Sequence, residues 1–296
     1  MRFMRESRRE SCSLTELGEI VATDAGLSAQ LLRYLNSGSF GLRRRVDSVT
    51  RAVTLMGLSA TQSFLIAAAM QDAAEQSLVR YAGRTLFHPG TFSRTNLQRG
   101  LFARELAILL GIDSETTFAA ALMQDVLLPV LCDRHTDEYA RLIDAGDGRP
   151  LVAREQVEFG WTHPAASAIL MRDWWLPPEI VGCVRLHHRL DLVDADPLLR
   201  DSPAYPVALS ALLPDGYSQS IDGIGQLLDR TAPMPDVDLA PLARTVDRLI
   251  EPLLPRAVRR VSLAAAVEKR LRERKAEQKA DQKADQKAKQ RAARSP

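Results

Sequence analysis

The stretch TTFAAALMQDVLLPVL, Thr116 to Leu131, decides the class of fold. It is apolar almost all round, so as a helix it has no face to offer to water and belongs inside a bundle with neighbours on several sides. Pro129 lacks a backbone donor and should bend or shorten that helix. Outward from it, the chain keeps the same 3.6-residue rhythm. Before it, the turn signal Phe87 to Gly90 (FHPG) leads into a helix marked by Leu97, Leu101, Ala103, Leu106 and Leu110 and ended by Gly111. After it, a loop at Asp144 to Pro150 precedes a helix opened by His163-Pro164. A further helix has Pro177-Pro178-Glu179 in its first turn and runs to His187-His188.

The first 75 residues read as short helices. Leu14, Leu17, Ile20 and Val21 mark one, and Leu27, Leu31, Leu32 and Leu35 mark the next after a break at Asp24–Gly26. Asn36-Ser37-Gly38 is expected to stop that helix, because Asn and Gly tolerate the left-handed conformation at a C-terminus. Asp47-Ser48 offers an N-cap for VTRAVTLM, which Gly57 closes, and Ser59 or Thr61 caps a helix through Phe64, Leu65 and Met70. Beyond His188, Asp191 to Pro203 reads as a loop, and helices resume at about Val207 and Ile221. Pro233 and Pro235 mark a second loop before the amphipathic segment Leu239 to Val267. Nothing alternates over a convincing length, so the expected class is all-α.

Charge is unevenly placed. From Glu268 to the end stand 11 Lys/Arg and 5 Asp/Glu, while the remainder holds 28 basic and 32 acidic residues. A slightly acidic body is a poor general binder of nucleic acid, which needs clustered positive charge. The last stretch, Ala276 to Lys289, repeats QKAD with period 4. On a helix this makes neighbours of the like charges Glu277, Asp281 and Asp285, and of Lys275, Lys279, Lys283 and Lys287, each such pair costing about 0.2–0.5 kcal/mol. A frayed or disordered tail is therefore expected. Cys12, Cys132 and Cys183 are odd in number, widely spaced and without a CxxC pair, which suits buried thiols in a reducing compartment. No apolar run is expected to approach the ~20 residues of a bilayer span. The charged start MRFMRESRRESC does not read as a secretory signal. A cytoplasmic location and no membrane partner follow as expectations.

Two segments carry a family likeness: DAGLSAQLLRYLNSGSFGLRRRVDSVTRAVTLMGLSATQSFLIAA, Asp24 to Ala68, and EQVEFGWTHPAASAILMRDWWLPPEIVGCVRLHH, Glu155 to His188. With AALMQDVLLPVL between them, they resemble the HDOD family, bacterial-type output-domain relatives of the HD phosphohydrolases, over about Leu14 to Ser210. The signatures stand in order: Asn36-Ser37 after a leucine-rich helix, the element closed by Gly57, Glu155-x-x-x-x-Gly160-x-x-His163, Trp174-x-Leu176-Pro177, and His187-His188. The resemblance implies a multi-helix bundle with an N-terminal helical subdomain at 1–75 and an HD-like helical core at 76–210. Pattern and charge add C-terminal helices at 211–267 and a basic low-complexity tail at 268–296.

The resemblance also implies a test of the metal-binding positions. HD hydrolases hold one or two divalent ions with a helix-borne His, an adjacent His-Asp pair and a later Asp, a donor set suited to transition metals that activate water. Here the pair reads Gln124-Asp125, the upstream histidine falls near Thr95 or Asn96, and the final aspartate near Ser210. Leu127 and Leu128 stand where cyclic-dinucleotide hydrolases carry Gly and Lys. Asp125, His163, His187 and His188 survive, of which two or three could meet; they are read as structural remnants. No catalytic residue, bound metal or other cofactor is expected. Trp174-Trp175 reads as a staple at a helix entry, and Arg43-Arg44-Arg45 as a solvated loop. LMGLSATQSFL is too apolar for a DNA-reading helix. The expected function is a non-catalytic regulatory module acting through a signalling protein partner or a small-molecule or nucleotide ligand in the cleft between the Asp125 and His163 helices. The alternative is a metal-dependent phosphohydrolase acting on nucleotides or cyclic dinucleotides. The tail could add weak, sequence-blind nucleic-acid contact.

Overall fold

A computed structural model describes residues 13–36, 42, 44–58, 60–65, 67–69, 89–145, 147–174, 176–215, 219–253 and 262–292. Among these, every regular element is helical. Several readings lie outside the described residues: the charged N-terminus with Cys12, Ser37-Gly38, Arg43, Ser59, Met70, Phe87-His88, Trp175 and the 75/76 boundary.

Three short helices open the chain: α1 (Leu14–Ala22), α2 (Ala25–Leu35) and α3 (Val49–Met56). Each starts where a short polar side chain satisfies exposed backbone donors. Ser13 and Glu16 form a reciprocal capping box on α1, Asp24 caps α2, and Ser48 caps α3. The end of α2 departs from expectation. Asn36 keeps φ at −84° and is not left-handed. Its side chain donates to the Leu32 carbonyl at 2.8 Å and the Val46 carbonyl at 2.7 Å, and its amide oxygen accepts from the Val46 N–H at 2.8 Å. Asn36 thus ties the end of α2 to the strap that leads into α3.

The centre is a hairpin of α4 (Pro89–Leu110) and α5 (Ser114–Met123), with Gly111 at φ +69° turning the chain between them. They approach closely at Gly100, where an added Cβ would lie 3.1 Å from the Phe118 ring. Phe118 stacks on Tyr34, which stacks on Phe64, and this aromatic column joins the opening helices to the centre. The opening stretch is indeed buried from Thr117 to Val126, but its break comes earlier than Pro129. The proline ring would clash with the Asp125 carbonyl four residues back. The chain therefore loosens into a turn over Gln124–Leu127, the Asp125 carbonyl accepts from Leu128 N–H at 3.0 Å, and α6 (Leu128–Arg134) restarts with Pro129 in its first turn.

By length and composition Ser114–Arg134, 21 residues, is apolar enough to cross a bilayer, contrary to expectation; most of it is buried inside the fold and it is broken at Gln124. The chain continues through α7 (Thr136–Asp144), α8 (Leu151–Phe159), α9 (His163–Asp173) and α10 (Pro178–Leu186). The expected loop at Asp191–Pro203 instead holds two short helices, α11 (Leu190–Ala195) and α12 (Pro197–Arg200). Asp196 caps the second, and Pro197 fits its first turn. Then follow α13 (Ala204–Ser210), α14 (Gly223–Thr231), α15 (Leu239–Ile250) and α16 (Leu263–Ala292).

The tail expected to fray is helical as far as Ala292. Its first turn is buried at Leu263, Ala264 and Val267, and the Asp247 carboxylate on α15 accepts from the N–H groups of Leu263 and Ala264 at 2.8 and 3.0 Å. Arg270 pairs with Asp222 at 2.8 Å and Arg274 with Asp229 at 2.7 Å, so part of the tail's positive charge docks on the body's own acids. These anchors nucleate a helix that the repeat alone would struggle to start.

Substituting Asn36→Ala should lower unfolding free energy by about 1–3 kcal/mol, since it leaves the Val46 groups unpaired. Chemical denaturation checks this; an unchanged midpoint would remove Asn36 from the account of how α2 and α3 are held.

Candidate functional site

The four surviving positions come together. One donor atom from each of Asp125, His163, His187 and His188 lies within 4.8 Å of the others, and the first three residues are buried. The α5–α6 turn presents Asp125, which is 1% exposed; His163 is the first residue of α9; His187 and His188 follow the end of α10.

Each imidazole is oriented from behind. His163 Nδ1 lies 2.8 and 3.0 Å from the Glu155 carboxylate, and the His163 backbone N–H donates to the same group at 2.9 Å. Tyr139 donates its hydroxyl to Glu155 at 2.7 Å. Gly160, at φ +74°, makes the left-handed turn that lets α8 and α9 place Glu155 beside His163. This is the physical content of the Glu-x-x-x-x-Gly-x-x-His signature. Glu155, from the preceding helix, thereby satisfies a backbone donor at the start of α9. His187 Nδ1 lies 2.6 Å from the Val184 carbonyl. A carbonyl can only accept, so Nδ1 carries the hydrogen and the neutral ring presents an Nε2 lone pair. His188 Nε2 lies 2.7 Å from the Gln219 amide oxygen and donates to it.

The two oxygens of Asp125 face different surroundings. Oδ1 lies 3.3 Å from His163 Nε2 and 3.4 Å from His187 Nε2. Oδ2 accepts from the Arg99 guanidinium and, at 3.1 Å, from Gln219 Nε2. Arg99 is fully buried on α4. It also pairs with Asp215 at 2.6 Å and donates to the carbonyls of Ala211 and Leu213 at 3.3 and 3.2 Å. The segment after α13 is therefore strapped across the cluster.

Charge states follow from these neighbours. Burial works against an ionised Asp125, but Arg99 and the two imidazoles outweigh it and hold the carboxyl well below the usual range. Burial also opposes a charged His163, yet Glu155 and Asp125 raise it to about 9. For His187 burial prevails and lowers the value; His188 is lowered further, by burial and then by the neighbouring histidines.

The residues fit a single transition-metal ion. Asp125 Oδ1, His163 Nε2 and His187 Nε2 are buried without hydrogen-bond partners of normal geometry. Ligands at 2.0–2.1 Å in a tetrahedral shell stand about 3.3 Å apart, close to the two spacings found here. A carboxylate behind one imidazole and a carbonyl behind the other is the usual support for metal-binding histidines. Gln124 is fully buried, Thr95 and Asn96 are buried on α4, and Ser210 bonds to the Val207 carbonyl of its own helix at 2.7 Å.

Arg99, Glu155's support of His163, Tyr139, Asp215 and Gln219 were not read from the sequence as parts of a site. Arg99 had a signal: with Phe92, Ala103 and Leu106 it falls on one buried face of α4, a cation in an apolar stripe. Outside the cluster, Arg44 and Arg45 are exposed, in keeping with a solvated loop, and Trp174 packs half-buried on the core. Phe64 and Leu65 are buried, in keeping with an apolar packing role for that segment.

A family model for the HDOD domain matches residues 1–190. The fold is shared with a crystal structure from Shewanella amazonensis provisionally assigned as a phosphohydrolase. The two are 18% identical, at a TM-score of 0.62, covering 85% of this chain and 88% of that one. It is shared also with an HDOD domain protein of unknown function from Geobacter sulfurreducens, 18% identical at a TM-score of 0.59, over 90% and 85% of the two chains. A curated, uncharacterized Treponema pallidum protein is 23% identical over 197 residues, 64% of this chain; the match spans about a third, 36%, of that protein's length.

In chelator-treated protein the raised value at His163 contributes stability that is whole below pH 6.5 and is lost as pH rises through about 9. The lowered values at His187 and His188 act in the other direction, contributing stability above 6.5 that is lost on acidification. The thermal midpoint should therefore fall from pH 6.5 to 9, and His163→Gln should flatten that limb. A midpoint that rises across this window in the parent chain would contradict the assignment.

Proposed function

Because this chain belongs to the HDOD domain family, we propose that it works as a non-catalytic regulatory module that relays a signal by binding a protein partner or a small ligand. The observation that carries this is the sealing of Asp125. A catalytic carboxylate must reach substrate or a metal with an open position. Asp125 is 1% exposed, one oxygen is engaged by Arg99 and Gln219, and the Ala211–Asp215 strap is pinned over it by the same guanidinium. Gln124 adds a neutral amide where a motif histidine would supply a ligand. The free, buried thiols Cys132 and Cys183 accord with a reducing, cytoplasmic setting.

Signal transmission would then run through packing. The helices that carry the cluster pack in series, α4 on α5, α5 on α10 and α10 on α9, so a ligand or partner that shifts one bears on the next. Any nucleic-acid contact would come from the tail beyond Arg274 and would weaken steeply with salt.

The gathering of the four donors favours a second reading, a metal-dependent phosphohydrolase acting on nucleotides or cyclic dinucleotides. Asp125, His163 and His187 would hold the ion, which would supply an acidified water or a Lewis acid. Against this, Arg99 and Gln219 hold the carboxylate shut, and Glu155 holds His163 in place.

Phosphodiesterase and phosphomonoesterase assays with added manganese, on cyclic dinucleotides and on nitrophenyl phosphates, should give no turnover above the protein-free rate. Turnover proportional to protein concentration and abolished by Asp125→Asn would replace the regulatory reading with the hydrolytic one.

A further inference from the structure

Asp125 turns its two oxygens to different surroundings: the Arg99 guanidinium occupies the Oδ2 side, while imidazole nitrogens face the Oδ1 side. On its Oδ2 side, the Arg99 guanidinium bridges Asp125 and Asp215, whose side chains are 1% and 2% exposed. Two buried carboxylates aimed at one point repel each other unless a cation lies between them. On the Oδ1 side, the neutral His187 ring turns a lone pair toward the carboxylate at 3.4 Å, because its Nδ1 hydrogen goes to the Val184 carbonyl. Acceptor faces acceptor there, in a space closed to solvent, and His163 Nε2 points to the same oxygen at 3.3 Å. All three atoms are buried without a hydrogen-bond partner of normal geometry, and one ion among them, displacing the proton from His163 Nε2, would satisfy all three.

We propose that Arg99 is a tethered substitute for a second metal ion, so that this centre takes one transition-metal ion, on Asp125, His163 and His187, and excludes a second from between Asp125 and Asp215. Two imidazoles and one carboxylate select zinc, cobalt or manganese over magnesium, which prefers oxygen ligands and retained water. The guanidinium matches a carboxylate pair in shape and charge and does not lose its proton. It also donates to the Ala211 and Leu213 carbonyls, a contact that a bare ion with carboxylate ligands would not reproduce in the same way. The ion and the arginine therefore share one carboxylate from opposite sides. Occupancy and catalysis are separate questions: an inert protein with one bound ion satisfies this proposal, and so would an active one.

The test uses the full chain, stripped with a chelator and titrated with cobalt(II), with stoichiometry read by elemental analysis and ligand field by visible absorption. One equivalent should bind with a d–d spectrum carrying nitrogen ligation, and His187→Ala should lose it. Arg99→Met should raise the stoichiometry to two, and Asp215→Asn in that background should return it to one. Two equivalents in the parent chain, or none, would overturn the proposal, as would a folded Arg99→Met chain that still takes one. If Arg99→Met does not fold, Asp215→Asn alone decides: it should leave one equivalent and its spectrum intact, and loss of that ion would place Asp215 in the first site and refute the division of Asp125 between two cations.

Discussion

A carboxylate that is 1% exposed in the middle of a helical bundle is the constraint around which this molecule is arranged. An ionised group there carries a desolvation penalty of several kcal/mol that only close opposite charge and hydrogen bonds offset. Asp125 meets it with Arg99 on one oxygen, Gln219 beside it, and two imidazoles on the other. Breaking such a buried pair by removing one partner costs about 3–5 kcal/mol, so the long helix α4, the α5–α6 turn and the strap after α13 are tied together through this one group. The consequences reach outward: Glu155 fixes His163, Tyr139 fixes Glu155, and the left-handed turn at Gly160 joins the two helices that carry Glu155 and His163.

Much of the fold was legible in the sequence, because burial and period carry the information. The apolar run from Thr117 to Val126 is inside, Ser48 caps the helix it precedes, and Pro178 sits in the first turn of its helix. Failures occurred where tertiary contacts decide. Asn36 was read as a residue tolerant of left-handed backbone, but its side chain bonds to a residue ten positions on. The tail was read from its own repeat, which has no apolar face, while its anchoring depends on Asp247, Asp222 and Asp229. The break at Gln124 instead of Pro129 reflects where a proline ring clashes, four residues upstream of itself.

The candidate site divided in the same way. Asp125, His163, His187 and His188 could be named because ordered signatures pointed to them, and the structure brings all four together. Their supporting residues could not be named. Asp215 and Gln219 lie 116 and 94 residues from the groups they meet, and no spacing announces them. Arg99 alone left a trace, as a cation on an otherwise buried helical face. The expectation that too few donors converge for a working ion thus stands in tension with geometry suited to one ion. An arginine in a second ion's place reconciles the two: the centre keeps the ligands of a mononuclear site and lacks the open, paired arrangement that dinuclear hydrolysis requires.

Anomalous diffraction from crystals of the full chain grown with cobalt(II) tests this account most directly. It predicts one peak, on Asp125, His163 and His187, with the Arg99 guanidinium still against the other Asp125 oxygen. Two peaks sharing Asp125, with Arg99 swung out and the carboxylate open to solvent, would contradict it.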